Sequence, residues 1–133
     1  MIEIWINPAC SKCRTAISEL DAAGSEYVIR RYLEDVPTAA EIEDVLARLG
    51  LEPWDITRTA DAKGLGIELP AKGAEQRDAW IALLGAEPRL IQRPIITASD
   101  GSAVIGRDPE SVSQVIRADR PGRLKALFKR SQG

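Results

Sequence analysis

Apolar positions along this chain recur with two different periods. Residues 2–6, Ile-Glu-Ile-Trp-Ile, place isoleucine at alternate positions with Trp5 between them, the pattern of a short buried strand. Asn7 and Pro8 break it. From Ser11 the spacing becomes helical, with Ala16, Ile17, Leu20 and Ala23 on one side and Gly24 placed to end the helix. Residues 27–32, Tyr-Val-Ile-Arg-Arg-Tyr, return to strand character. Strand, helix and strand within so few residues make a βαβ unit, which predicts parallel pairing of the two strands.

The helical period then dominates. Pro37, Thr38 and Glu41 mark a helix start, with Thr38 and Glu41 in capping-box spacing. Ile42, Val45, Leu46 and Leu49 form its apolar side, and Gly50 ends it. A short helical piece is predicted over 53–59, a loop with at most a brief turn over 61–73, and an amphipathic helix over 75–84. After Pro88 two short apolar runs, Leu-Ile-Gln-Arg-Pro-Ile-Ile-Thr and Ala-Val-Ile-Gly, flank Asp100-Gly101, which predicts a hairpin. Asp108 and Pro109 supply an N-cap and a first helical residue for a last helix carrying Val112, Val115 and Ile116. The order is βαβ, a helical insertion, then ββα. With no repeat, linker or low-complexity tract, this predicts a single α/β domain over residues 1–117.

Residues 118–133 are expected to form a basic tail or terminal helix. Arg120, Arg123, Lys125, Lys129 and Arg130 accompany Leu124, Leu127 and Phe128 at helical spacing. An anion-binding role is one reading of that stretch, but a solvated helix laying a thin apolar stripe on the body is the favoured one.

Composition narrows the chemistry. Of 133 residues, 29% are charged and 44% hydrophobic, with a net charge of −2, so neither nucleic acid nor a membrane surface is expected as a partner. The start has no basic region before Asn7 and Pro8, unlike a signal peptide, and no run approaches the ~20 apolar residues of a membrane helix. A cytoplasmic monomer is expected. The sequence holds 2 Cys and 0 His. Two thiols without imidazole cannot supply a four-ligand Cys/His zinc site, and no metal is expected. Cys–His and Ser–His–Asp catalysis are excluded as well. No phosphate-binding glycine motif suggests a nucleotide, and Trp5, Trp54 and Trp80 read as packing residues.

The candidate chemistry lies in Asn7-Pro8-Ala9-Cys10-Ser11-Lys12-Cys13-Arg14, between the first strand and the first helix. A thiol at a helix N-terminus meets unpaired backbone N–H groups and the positive end of the helix dipole, both of which favour the thiolate. Lys12 and Arg14 add positive charge, and with Ser11 they complete a candidate anion-binding first turn. Cys13, one helical turn from Cys10, is either a partner in a disulfide or a small buried residue on the inner helix face. A C-x-x-C pair after a strand in a βαβ unit points to redox work. The C-x5-R phosphatase loop does not fit, because the position it requires for arginine is Ala16.

These motifs, with Tyr32-Leu33-Glu34, Pro37-Thr38, Ile56-Thr57-Arg58, Ile91-Gln92-Arg93-Pro94-Ile95-Ile96 and Ile105-Gly106-Arg107-Asp108-Pro109-Glu110 in one order, resemble the thioredoxin-fold arsenate reductases of the glutaredoxin-coupled ArsC type. The likeness runs from Ile2 to about Ile116. It implies a thioredoxin-like fold, a Cys10 nucleophile that attacks arsenate, and three oxyanion-binding arginines at Arg58, Arg93 and Arg107. It also implies a cis peptide before Pro94. Guanidinium forks suit a tetrahedral oxyanion and keep their charge at neutral pH. No bound cofactor is implied; the reductant is an external thiol or redoxin such as glutathione, glutaredoxin, thioredoxin or an analogue. Two positions differ from the family pattern: Ile6 stands where histidine often precedes Asn-Pro, and Cys13 stands where another small residue is common. Spx-type regulators, which share the fold and the C-x-x-C and bind RNA polymerase, are one alternative, although they lack a counterpart of Arg107. A general thiol–disulfide oxidoreductase is another.

Overall fold

The structure, a computed structural model, describes residues 1–119. Four strands form one mixed sheet in the order β2-β1-β3-β4. Strand β1 (Ile2–Ile6) pairs in parallel with β2 (Tyr27–Arg31), as the βαβ reading requires, with Ile6 opposite Arg31. On its other edge β1 runs antiparallel to β3 (Ile95–Thr97), and β3 forms a hairpin with β4 (Ala103–Ile105). The hairpin turn bonds Ala98 N–H to the Ser102 carbonyl at 2.9 Å, with Gly101 at φ 92. A positive φ costs glycine little, which explains its place beside Asp100.

Strand alternation sorts the core into two layers. Ile2, Ile4 and Ile6 pack with Ile96 against Cys13, Ala16 and Leu20 of α1 (Ser11–Ala22) and Val112 and Val115 of α5 (Pro109–Ala118). Trp5 and Ile95 point the other way. They meet Ile42, Val45 and Leu46 of α2 (Ala39–Leu49), Ala62 of α3 (Thr59–Gly64), and Ile81 and Leu84 of α4 (Arg77–Ala86). Arg30 lies 5.4 Å above the Trp5 ring, held by Asp35 and Glu41, and so closes this layer at the β2 edge.

The caps form where their residues predict. Thr38 accepts from Glu41 N–H at 3.2 Å while the Glu41 carboxylate accepts from Thr38 N–H at 3.0 Å, a complete capping box, and Gly50 ends α2 in the left-handed conformation. Asp108 accepts from Ser111 N–H at 2.8 Å with Pro109 at the first helical position.

The insertion differs from its expected form. The helical piece predicted over 53–59 is a 3-10 turn, Pro53–Ile56, followed by extended backbone, and α3 occupies the start of the predicted loop. The cause is a contact distant in sequence. Thr57 makes an antiparallel bridge to Ile91, and the Arg58 and Gln92 N–H groups bond to Leu90 and Ile56 carbonyls, which draws residues 57–58 straight before Ala62 buries and restarts the helix. The predicted helix over 75–84 begins as a 3-10 turn, Ala74–Gln76, and becomes α-helical from Arg77 to Ala86. Strand β2 stops at Arg31, and Tyr32 turns into the core. Among the described residues no helix is long and apolar enough to cross a membrane. Most of the basic segment predicted over 118–133 lies outside the described residues; Ala118 ends α5, and Asp119 accepts from Ser99 N–H at 2.8 Å.

Candidate functional site

Strand β1 ends at Ile6, and residues 7–10 carry the chain onto α1. Asn7 shapes this turn twice: its side-chain oxygen accepts from Ala9 N–H at 3.0 Å, and its carbonyl accepts from Cys10 N–H at 2.9 Å. Cys10 is thereby the N-cap residue of α1, in extended conformation and half-buried. The first turn of α1 has no acidic residue to compete for its N–H groups.

The two sulfurs have opposite environments. Partial burial works against ionisation of Cys10. The N–H and thiol of Cys13, the Arg93 guanidinium and the Lys12 N–H together outweigh it and bring the pKa from 9.0 down to about 7. Cys13 is fully buried in the α1/α5 layer, and that burial, with the charge of Cys10 beside it, pushes its thiol up to about 11 although the Asn7 N–H acts the other way. One thiol is poised to ionise near neutrality and its neighbour is held protonated. Both are free cysteines.

Arg93 enters from the chain between Leu90 and β3 and sits next to Cys10 across a cis peptide to Pro94. One terminal nitrogen donates to the Arg89 carbonyl at 3.3 Å. Arg107 reaches the same place from the end of β4 and donates to the Arg93 carbonyl at 2.8 Å. Gly106 permits the approach: its N–H bonds to the Pro94 carbonyl at 2.8 Å, and a Cβ there would lie 2.6 Å from Ile96 Cδ1 and 3.3 Å from Pro94 Cγ. Arg58, just before α3, is paired with Asp61 at 2.6 Å. The Asp61 carboxyl is held below its ordinary value first by Arg58, with a smaller contribution from the charge of Arg93. An open cleft of about 420 Å³ beside them is lined by Asn7, Asp61, Arg89 and Arg93.

Of the residues singled out in the sequence, Cys10, Cys13 and Arg93 thus form one cluster, Arg107 joins through the Arg93 backbone, and Arg58 joins through Asp61. The others face outward. Arg14 donates to the Pro8 carbonyl at 3.2 Å and ties down the thiol loop. Lys12 lines a smaller hollow with Arg107 and Asp108, and Ser11 is exposed at the first helical position. Sequence reading overlooked Asp61, whose three-residue offset from Arg58 at a helix start was an available signal. It also overlooked the turn-forming role of Asn7 and the burial of Tyr32.

Fold and site together define a thioredoxin-like α/β protein with a thiol pair at the start of its first helix. The ArsC family model matches residues 5–115, and the chain belongs to that family. It is 62% identical over 117 residues to an uncharacterized protein in the glnII region of Streptomyces viridochromogenes, covering 86% of this chain and 98% of that one. It is 34% identical over 118 residues to an arsenate reductase of Neisseria meningitidis serogroup A, covering 86% and 97%. Among solved structures it resembles an arsenate reductase from Vibrio cholerae, with a TM-score of 0.72, 31% identity, and coverage of 86% and 96%.

Proposed function

We propose that this protein reduces arsenate to arsenite, with Cys10 as nucleophile. The observation that carries the reading is a half-buried thiol with a pKa near 7 at a helix N-terminus, directly beside Arg93. Arsenate docks against Arg93, Arg107 and Arg58, the last released from Asp61, and against the N–H groups of the first turn. Ser11, Lys12 and Arg14 contribute backbone and charge around that turn. The Cys10 thiolate attacks arsenic, a sulfur–arsenic(V) bond forms, and one arsenate oxygen leaves as water. A second thiol then attacks the Cys10 sulfur. A disulfide forms, the electron pair of the sulfur–arsenic bond passes to arsenic, and arsenite departs. One arsenate and two thiols become one arsenite, one disulfide and one water.

The second thiol is glutathione, a similar small thiol, or Cys13. Cys13 is favourably placed, since its thiol acts directly on the Cys10 sulfur, while its pKa, raised first by burial and further by the charge on Cys10, makes it a slow nucleophile, and forming the adduct relieves only the second of these. A glutaredoxin- or thioredoxin-like partner resets the disulfide, which suits a reducing cytoplasm. The same sulfur pair supports a second reading, general thiol–disulfide exchange with arsenate incidental.

Arsenate-dependent NADPH oxidation with each redoxin system added in turn is the test. Oxidation that requires arsenate supports the reductase. Equal oxidation with a disulfide substrate and none with arsenate overturns it. Mass spectrometry after a single turnover assigns the resolving thiol, and absence of an intramolecular disulfide rules out Cys13.

A further inference from the structure

Tyr32 is the first residue past β2. Because β2 runs parallel to β1 with Ile6 opposite Arg31, Tyr32 leaves the sheet at the same end as Asn7, where the thiol loop begins. Its side chain is 0% exposed and packs in the cluster that contains Ile91 and Ile95, two residues before and two after Arg93. Two buried polar side-chain atoms among the described residues have no hydrogen-bond partner, and they are the Tyr32 hydroxyl and Arg93 Nε.

An unpaired buried hydroxyl costs free energy that phenylalanine would avoid, so the oxygen calls for a partner acquired in another state of the protein. The two orphans are complementary. Nε of a guanidinium only donates, whereas a phenol oxygen accepts. Burial raises the Tyr32 phenol to about 12, opposed by the charge and the hydrogen-bonding reach of the neighbouring Arg93 guanidinium and aided by Cys13 and Cys10, so it remains a neutral hydroxyl throughout the working range. Among the described residues, a terminal nitrogen of Arg93 is meanwhile tethered by the long bond to the Arg89 carbonyl. That bond uses one of the terminal nitrogens an oxyanion would need.

We propose that Tyr32 is a positioning residue for Arg93: its hydroxyl oxygen accepts from Arg93 Nε, freeing the terminal nitrogens to face the Cys10 sulfur and a tetrahedral oxyanion. This rests on the oxyanion reading for the role of Arg93 toward substrate, but not for its effect on Cys10. The anchor holds the fork by its stem, and the guanidinium plane is then set by the core and not by solvent.

The test uses Tyr32→Phe in the full chain with Cys13→Ser, so that one thiol reports. Phenylalanine keeps the ring in the core, and thermal melting checks that it does. Iodoacetamide alkylation across pH gives the Cys10 ionisation midpoint, and inorganic phosphate, a tetrahedral oxyanion that draws no electrons, is titrated as a protecting ligand. Tyr32→Phe is expected to raise the midpoint by about 0.5 unit, a roughly threefold weaker acid, and to weaken phosphate protection several-fold. A core-filling role would leave both unchanged at equal melting temperature, and that result overturns the proposal. Repeating the measurement on Arg93→Lys, which has no guanidinium Nε, gives the second check. Tyr32→Phe adds nothing there if it acts through Arg93, whereas full additivity overturns it. Failure of phosphate to protect the unaltered site would count against the oxyanion reading, while the midpoint still decides the link from Tyr32 to Arg93.

Discussion

The α1/α5 layer and the layer of α2, α3 and α4 cover the same sheet, but they are built from different material and bring different chemistry to its edge. The first is regular. Isoleucines from β1 meet small and branched residues, Ala16, Leu20, Val112 and Val115, on two helices, of which α5 starts at an Asp108 cap and α1 at Cys10 with no side-chain cap. It contributes sulfur, with Cys10 at the mouth of α1 and Cys13 in the core behind it. The second is pieced together from 3-10 turns and three helices, α3 only six residues long, around the large side chains Trp5 and Tyr32, and its surface is laced with ion pairs such as Arg30–Glu41 and Arg77–Glu43. It contributes Arg58 with its counter-ion Asp61, and it buries Tyr32 next to Arg93. An anion is served well by a regular helix, whose N-terminus presents donors without any side chain. Cations must be carried on long side chains, and irregular backbone can aim several of them at one point.

Removing the anion should have the largest effect. Cys10→Ser is expected to lower arsenate-dependent turnover by at least about 1,000-fold, because this chain has no imidazole to activate a hydroxyl. Steady-state rates of the variant check it, and residual activity within tenfold of the parent would show that the sulfur layer is not the reactive one. In the parent, alkylation of Cys10 should rise through pH about 7 while Cys13 stays unreactive until far more alkaline pH.

Next come the cores themselves. Leu20 and Leu84 are both 0% exposed, one in each layer, and truncation of either to alanine should cost about 3 kcal/mol in urea unfolding. The layers should nevertheless differ in function. Leu20→Ala loosens the helix that carries the thiol and should shift the Cys10 alkylation midpoint, whereas Leu84→Ala should leave it in place. Equal shifts would dissolve the distinction between the layers.

The smallest effect belongs to the charged rim of the second layer. Glu41 is held at about pKa 2, first by Arg30 and then by the Thr38 N–H. A carboxyl whose folded pKa lies below its unfolded value near 4.5 stabilises the fold fully above the latter and loses that contribution as pH falls through the former. Its side chain is 42% exposed, so solvent screening limits the benefit to roughly 1 kcal/mol or less. Glu41→Gln should therefore be slightly less stable than the parent at pH 7, with the deficit closing toward pH 2, as followed by denaturant midpoints.

What sequence could disclose follows the range of each contact along the chain, in both layers. Thr38 with Glu41, Gly50, Asp100-Gly101 and Asp108-Pro109 act on their own neighbours within a few residues, so their caps and turns were legible. The parallel βαβ unit and the thiol at the start of α1 follow from periodicity and local breaks in the same way. The insertion was read less well, because Thr57 pairs with Ile91, far along the chain, and no local signal reports that bridge.

The linear chain determined the identity and order of its elements, the thiol at a helix N-terminus and the absence of imidazole, since each depends on residue type and short spacing. Only the tertiary structure decided that Arg107 reaches Arg93 over a glycine, that Cys13 is buried, and that a tyrosine hydroxyl lies unpaired at the same place. Those are relations between distant segments. Packing around the sheet sets them, and packing is a property of the whole fold.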